Sequence, residues 1–197
     1  MKKIIFATSN EGKMNEIRAI LKGLDIELIS LKEAGLNPDI DENGITFEEN
    51  AIIKARVVSE LSGEIVMADD SGLEVDYLDK APGVYSARFL GEDTSYLVKN
   101  QYIIDKLKDC EGEERRARFV CVIACAFPGG EMITRSGALE GLIAEQGAGS
   151  YGFGFDPIFY VPEYHCTTAE MLPEQKNHIS HRGKALLAMK EAIAKYL

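Results

Sequence analysis

Apolar and polar positions alternate along this chain with two periods, and the early part switches between them repeatedly. Residues 3–7 form a short apolar run that reads as a strand. The turn Thr8-Ser9-Asn10-Glu11-Gly12 is rich in capping residues, and 13–22 continues as a helix with Ile17, Ile20 and Leu21 inward. Residues 26–31 predict a second strand, and 37–45 a polar loop with Pro38 and Gly44. Thr46-Phe47-Glu48-Glu49 is a capping box that opens a helix running to about Leu61 and stopped near Gly63. Residues 65–68 predict a strand that ends in Asp69-Asp70-Ser71-Gly72, with a short one at 73–75.

The later part is built differently. After a loop at 81–85 and a helix over 94–108, residues 116–127 and 131–143 flank Pro128-Gly129-Gly130 and predict a hairpin. Residues 147–156 are glycine-rich loop, 157–161 a short strand, and 180–197 a closing helix. Strands that alternate with helices, followed by a hairpin, predict one α/β domain over 1–197 with a mixed sheet and flanking helices.

Charge and composition narrow the partners. Formal net charge is −10, which argues against nucleic acid or an acidic membrane, because backbone binding needs a basic surface. No run approaches the roughly 18 apolar residues of a membrane span. The start Met1-Lys2-Lys3-Ile4-Ile5-Phe6 reads as a strand rather than a leader, so a cytoplasmic protein is expected. Cys110, Cys121, Cys125 and Cys166 form no Cys-x-x-Cys pair. Cys121, Ile123 and Cys125 share one strand face and are expected to be buried.

Five places can carry chemistry. Thr8–Lys13 joins a strand to a helix start, whose free N–H groups, hydroxyls and lysine make an anion site; ordinary capping explains the same residues. In the helix after Thr46, with Phe47 at 0° and about 100° per residue, Ala51, Val57, Val58 and Leu61 form the inward stripe. Asn50 at about 300° and Lys54 at about 340° lie inside it, so Lys54 must snorkel or meet an anion. Asp69 and Asp70, with Asp41 and Glu42 from the polar loop, offer oxygens that suit Mg²⁺ completed by water and phosphate. Phe153, Gly154, Phe155 and Asp156 combine backbone access with an aromatic that can stack on a base. Lys176 with Ser180-His181-Arg182 gathers cations and donors near a helix start.

Six segments of the chain, most of them among these places, occur together, in order, in a known family. They are Thr8–Lys13, Glu42–Ala51, Ala68–Leu73, Pro82–Arg88, Phe153–Pro157 and Ser180–Gly183. The chain resembles the inosine triphosphate pyrophosphatases, also called dITP/XTP pyrophosphatases or Ham1-like proteins, over nearly its whole length. The resemblance implies an elongated two-lobed mixed sheet with the active site in a cleft between lobes, and a homodimer. It implies Mg²⁺-dependent hydrolysis of ITP, dITP and XTP to the monophosphate and pyrophosphate. On the matching positions, Thr8, Ser9, Asn10, Glu11, Gly12 and Lys13 would hold the triphosphate. Glu42 and Asp70 would serve the metal, Asp70 would also be the general base, and Asp69 and Lys54 would assist. Ser71, Phe153, Gly154, Phe155, Asp156, Lys176, His181 and Arg182 would bind the nucleotide. The family usually has tyrosine where Phe155 stands, and its acidic pair is Asp41-Glu42 here, which leaves open the one that reaches the metal.

Overall fold

The computed structural model describes residues 2–196. Its strands are β1 (Lys2–Phe6), β2 (Ile26–Ser30), β3 (Ile65–Val75), β4 (Arg116–Ala126), β5 (Met132–Ile143), β6 (Phe159–Val161) and β7 (Cys166–Thr167). Its α-helices are α1 (Glu11–Leu21), α2 (Phe47–Ser62), α3 (Tyr96–Lys106), α4 (Pro173–Ile179) and α5 (His181–Ile193). The strands form one mixed sheet in the order β2-β1-β3-β4-β5-β6-β7. β1 runs parallel to β2 and β3, whereas β6 is antiparallel to both β5 and β7.

The chain divides into two compact units. Unit 1 comprises the residues up to Asp70, Cys121–Gly137 and the residues from His181; unit 2 comprises Ser71–Val120 and Ala138–Ser180.

In unit 1, Met14, Ile17 and Leu21 of α1 and Ala185, Leu186, Met189 and Ile193 of α5 pack on Ile4, Phe6, Met67, Cys121, Ile123 and Cys125 of the sheet. The expected burial of Cys121, Ile123 and Cys125 is borne out, and all four cysteines are free thiols. Gly137 permits close approach of α5. A Cβ there would lie 2.4 Å from the His181 carbonyl oxygen and 2.7 Å from the Ala185 nitrogen. In unit 2, Leu73, Val75, Ile103, Leu107, Phe119, Phe155 and Phe159 are among the buried core. Arg115 is buried there and donates to the carbonyls of Leu107, Cys110, Ile143 and Ala144.

Several expected boundaries move. β3 does not stop before Asp69; it runs unbroken to Val75, because both acids find cations and the backbone has no reason to turn. Proline shapes 157–161: residues 156–158 form a single 3₁₀ turn and the strand begins at Phe159. The region before the closing helix folds as α4, with Pro173 at its start. Leu61, expected inward, is exposed, because the buried face of α2 is centred on Ala51, Ala55, Val58 and Ser59.

Candidate functional site

The polar residues of unit 1 converge on two consecutive side chains of β3. Successive residues of a strand point to opposite faces, so Asp69 faces the α1 and α5 side and Asp70 the α2 side. On the first side, Lys13 Nζ lies 2.9 and 3.1 Å from the Asp69 carboxylate oxygens, and Arg182 lies 3.5 Å away. Arg182 also pairs with Glu16. Burial opposes ionisation of Asp69, but Lys13, Arg182 and Lys54 outweigh it and hold the carboxyl well below the usual range.

On the second side, Lys54 Nζ lies 2.7 Å from Glu42 Oε2 and 3.4 Å from Asp70 Oδ1. The capping box predicts where α2 starts, and hence which residues share this face. Thr46 Oγ1 accepts from the Glu49 amide, while the Glu49 carboxylate accepts from the Ile45 amide. One turn on, Asn50 donates to Asp70 Oδ2 at 3.3 Å and accepts from the Gly44 amide at 2.8 Å. That second bond ties the Glu42 loop to the helix. A Cβ on Gly44 would come 2.7 Å from Asn50 Oδ1, so the approach needs glycine. Burial raises the Asp70 carboxyl, and Asp69 and Glu42 add to this, against the pull of Lys54 and Lys13. Burial alone would lower Lys54, but Asp70, Asp69 and Glu42 raise it instead, so it stays an ammonium.

The two loop acids have different neighbours. Glu42 shares Lys54 with Asp70, whereas Asp41 accepts from its neighbour Asn43 at 3.1 Å. Two carboxylates about one cation suit Mg²⁺, which usually takes one or two protein carboxylates and completes its shell with water and phosphate. Among the described residues no group of three or more histidine, cysteine or acidic side chains could hold a metal ion; Glu42 and Asp70 are two carboxylates.

At the start of α1, Asn10 Oδ1 accepts from the Lys13 amide at 3.0 Å and Thr8 Oγ1 from the Asn10 amide at 3.2 Å. Ser9, Asn10, Glu11 and Gly12 are exposed. Free N–H groups and the positive end of the helix dipole there can receive an anion.

Unit 2 gathers a second cluster. Asp156 and Lys176 are both buried, 2.7 Å apart. The Asp156 carboxylate also accepts from Thr168 Oγ1 at 2.8 Å and from the Phe153 amide at 2.8 Å. Lys176 Nζ stands 5.1 Å from the centre of the Phe153 ring. Gly152 has φ +75°, and a Cβ there would meet Asp156 Oδ2 at 2.1 Å. Ser71, which opens unit 2, is partly buried in β3.

The structure thus brings together Lys13, Asp69 and Arg182, then Glu42, Lys54 and Asp70, and separately Phe153, Asp156 and Lys176. His181 and Arg182 fall in unit 1, and Lys176 falls in unit 2. Glu16 and Thr168 take part without having been expected. Each is a single polar residue outside any motif: Glu16 meets Arg182 from the other end of the chain, and Thr168 meets Asp156.

The Ham1 family profile matches residues 4–192. The chain belongs to the Ham1 family. A Clostridium perfringens protein named dITP/XTP pyrophosphatase is 48% identical over 97% of both chains. A Bacillus subtilis protein of the same name is 47% identical over 94% of each. Among solved structures, a HAM1 protein from Coxiella burnetii has a TM-score of 0.90 at 40% identity, covering 99% of this chain and 100% of its own. The Staphylococcus aureus Ham1 protein has a TM-score of 0.88 at 40% identity, covering 100% of both. The mixed sheet and flanking helices are therefore those of Ham1 proteins, as the sequence motifs implied.

Proposed function

We propose that this protein hydrolyses deaminated purine nucleoside triphosphates, ITP, dITP and XTP, to the monophosphate and pyrophosphate. The observation that carries the reading is the Glu42–Lys54–Asp70 arrangement in a chain that matches a relative named dITP/XTP pyrophosphatase over 97% of both lengths. An acidic protein binds a triphosphate only where it gathers cations. Lys13, Lys54 and the open start of α1 provide them.

Glu42 and Asp70 are the residues that would hold Mg²⁺. When bound, the metal supplies charge neutralisation on the phosphates and a more acidic water. Asp70 accepts the proton of the attacking water, a task for which burial has raised its basicity. Attack at the α-phosphorus places the new P–O bond on the monophosphate and expels pyrophosphate. Lys54 holds Glu42 and Asp70 on one side, and Asp69 fixes Lys13.

Phe153 stacks on the base, and Lys176 with nearby backbone amides donates to its 6-keto oxygen. Adenine would set its amino donor against those donors, leaving buried groups unpaired at about 1–3 kcal/mol each. We read the enzyme as a cytoplasmic homodimer, as the family resemblance implies.

Pyrophosphate release measured over a panel of ITP, XTP, GTP and ATP with Mg²⁺ is the test. Higher kcat/KM for ITP and XTP is expected; equal turnover of ATP would defeat the assignment.

A further inference from the structure

Helix α3 turns two polar side chains into unit 2. Lys99 is 1% exposed and Asn100 is 8% exposed, where an ordinary amphipathic helix would place apolar groups. Lys99 has a full explanation. Its Nζ donates to the Ala87 carbonyl at 2.6 Å and lies 4.9 Å from the centre of the Tyr96 ring, whose face attracts a cation.

Asn100 has only half of one. Its Nδ2 donates to the Gly154 carbonyl at 3.1 Å. Its Oδ1 is buried and has no hydrogen-bond partner among the described residues. A buried acceptor left unpaired keeps its desolvation cost, so this amide is a poor device for stability. What it does provide is one bond to one loop.

That loop depends on outside support. Gly152 and Gly154 both have positive φ, +75° and +67°, so the segment belongs to no regular element. Asp156 fixes its far end through Thr168 and Lys176 and returns a bond to the Phe153 amide. From α3, Tyr96 meets Phe155 edge-on at 5.2 Å, and Asn100 holds the Gly154 carbonyl. Phe153 therefore sits between an anchor at Asp156 and an anchor at Asn100.

We infer that Asn100 is a positioning residue for base recognition. By fixing the Gly154 carbonyl it sets the Gly154–Phe155 peptide, and with it the path of the loop whose backbone amides and Phe153 ring are assigned to the base. The inference rests on the assignment of Phe153 and Lys176 to the base; Asn100 acts through the loop and does not touch the substrate.

The test is steady-state kinetics with ITP and ATP on the wild type, Asn100→Ala and Asn100→Leu, with a thermal melt of each sample. Leucine fills the space of the amide without a donor, so it reports even where alanine weakens the fold. Losing one neutral hydrogen bond should raise the KM for ITP about tenfold, with kcat within about threefold. The ratio of kcat/KM for ITP over ATP should narrow by a similar factor. A merely structural residue would lower both nucleotides together, in step with the unfolded fraction. A wild-type preference for ITP that survives both substitutions would overturn the inference alone. A wild type with no such preference would overturn the base assignment, and the inference with it.

Discussion

Asp69 and Asp70 are consecutive residues of β3, yet Asp69 lies 2.9 Å from Lys13 and Asp70 lies 3.4 Å from Lys54. The alternation of a strand gives the two acids different neighbours, and it predicts different losses on substitution.

Asp70→Asn should keep the fold and lose most turnover. Its carboxyl is raised chiefly by burial, so the folded protein disfavours the charge that asparagine removes. Lys54 retains Glu42 at 2.7 Å. Loss of a general base typically lowers rate by about 10²–10⁴. Turnover within threefold of wild type at saturating Mg²⁺ would exclude the role.

Asp69→Asn should instead lower stability. It removes the anion opposite Lys13 and Arg182, and Arg182 is 2% exposed. Breaking a buried pair on one side costs roughly 3–5 kcal/mol, a fall in Tm on the order of 10 °C for a chain of this size. Calorimetry of the two variants side by side decides it; equal melting temperatures would mean that Asp69 holds nothing in place.

Hydrolysis in ¹⁸O-water should leave the label in the monophosphate. That outcome follows from attack at the α-phosphorus. Label in orthophosphate, with no pyrophosphate formed, would mark a terminal phosphatase instead.

Alkaline stability should depend on Cys121 and Cys125. Burial pushes both thiols up to about 12, with Asp69 adding to the rise at Cys121. An unfolded chain releases such protons near pH 8.5. Their contribution is therefore complete below that value and is lost as pH rises toward the folded value, by up to about 1.4 kcal/mol per pH unit for each thiol. Cys121→Ala should flatten the decline of urea midpoints between about pH 9 and 11. An unaltered slope would show that the thiol is not protected.

Much of this was legible in the sequence where a pattern is local. Thr46 and the periodic positions after it locate α2 and put Asn50 and Lys54 on the buried side. The Pro-Gly-Gly turn joins β4 to β5. What the chain hides is long-range. Asp69-Asp70-Ser71-Gly72 has the composition of a turn, and the partners its acids meet in the extended strand, Lys13, Asn50, Lys54 and Arg182, lie elsewhere in the sequence. α4 has seven residues, too few to show a period, and Pro173 is its only signal. Arg182 reads as a helix-start cation; its pairing with Asp69 and Glu16 depends on how α5 packs on α1.

Neither unit is a continuous stretch of chain, and this bears on synthesis. The core of unit 1 joins Ile4, Phe6 and Ile17 to Leu186, Met189 and Ile193. Ribosomes add about 5–20 residues per second. The β1–α2 segment must therefore wait on the order of 10 s after it emerges before α5 can cover it. During that interval the face that will receive α5 is open to solvent and to other nascent chains. Chaperone occupancy of ribosome-bound intermediates should peak before the codons for α5 are read and fall once that helix clears the exit tunnel.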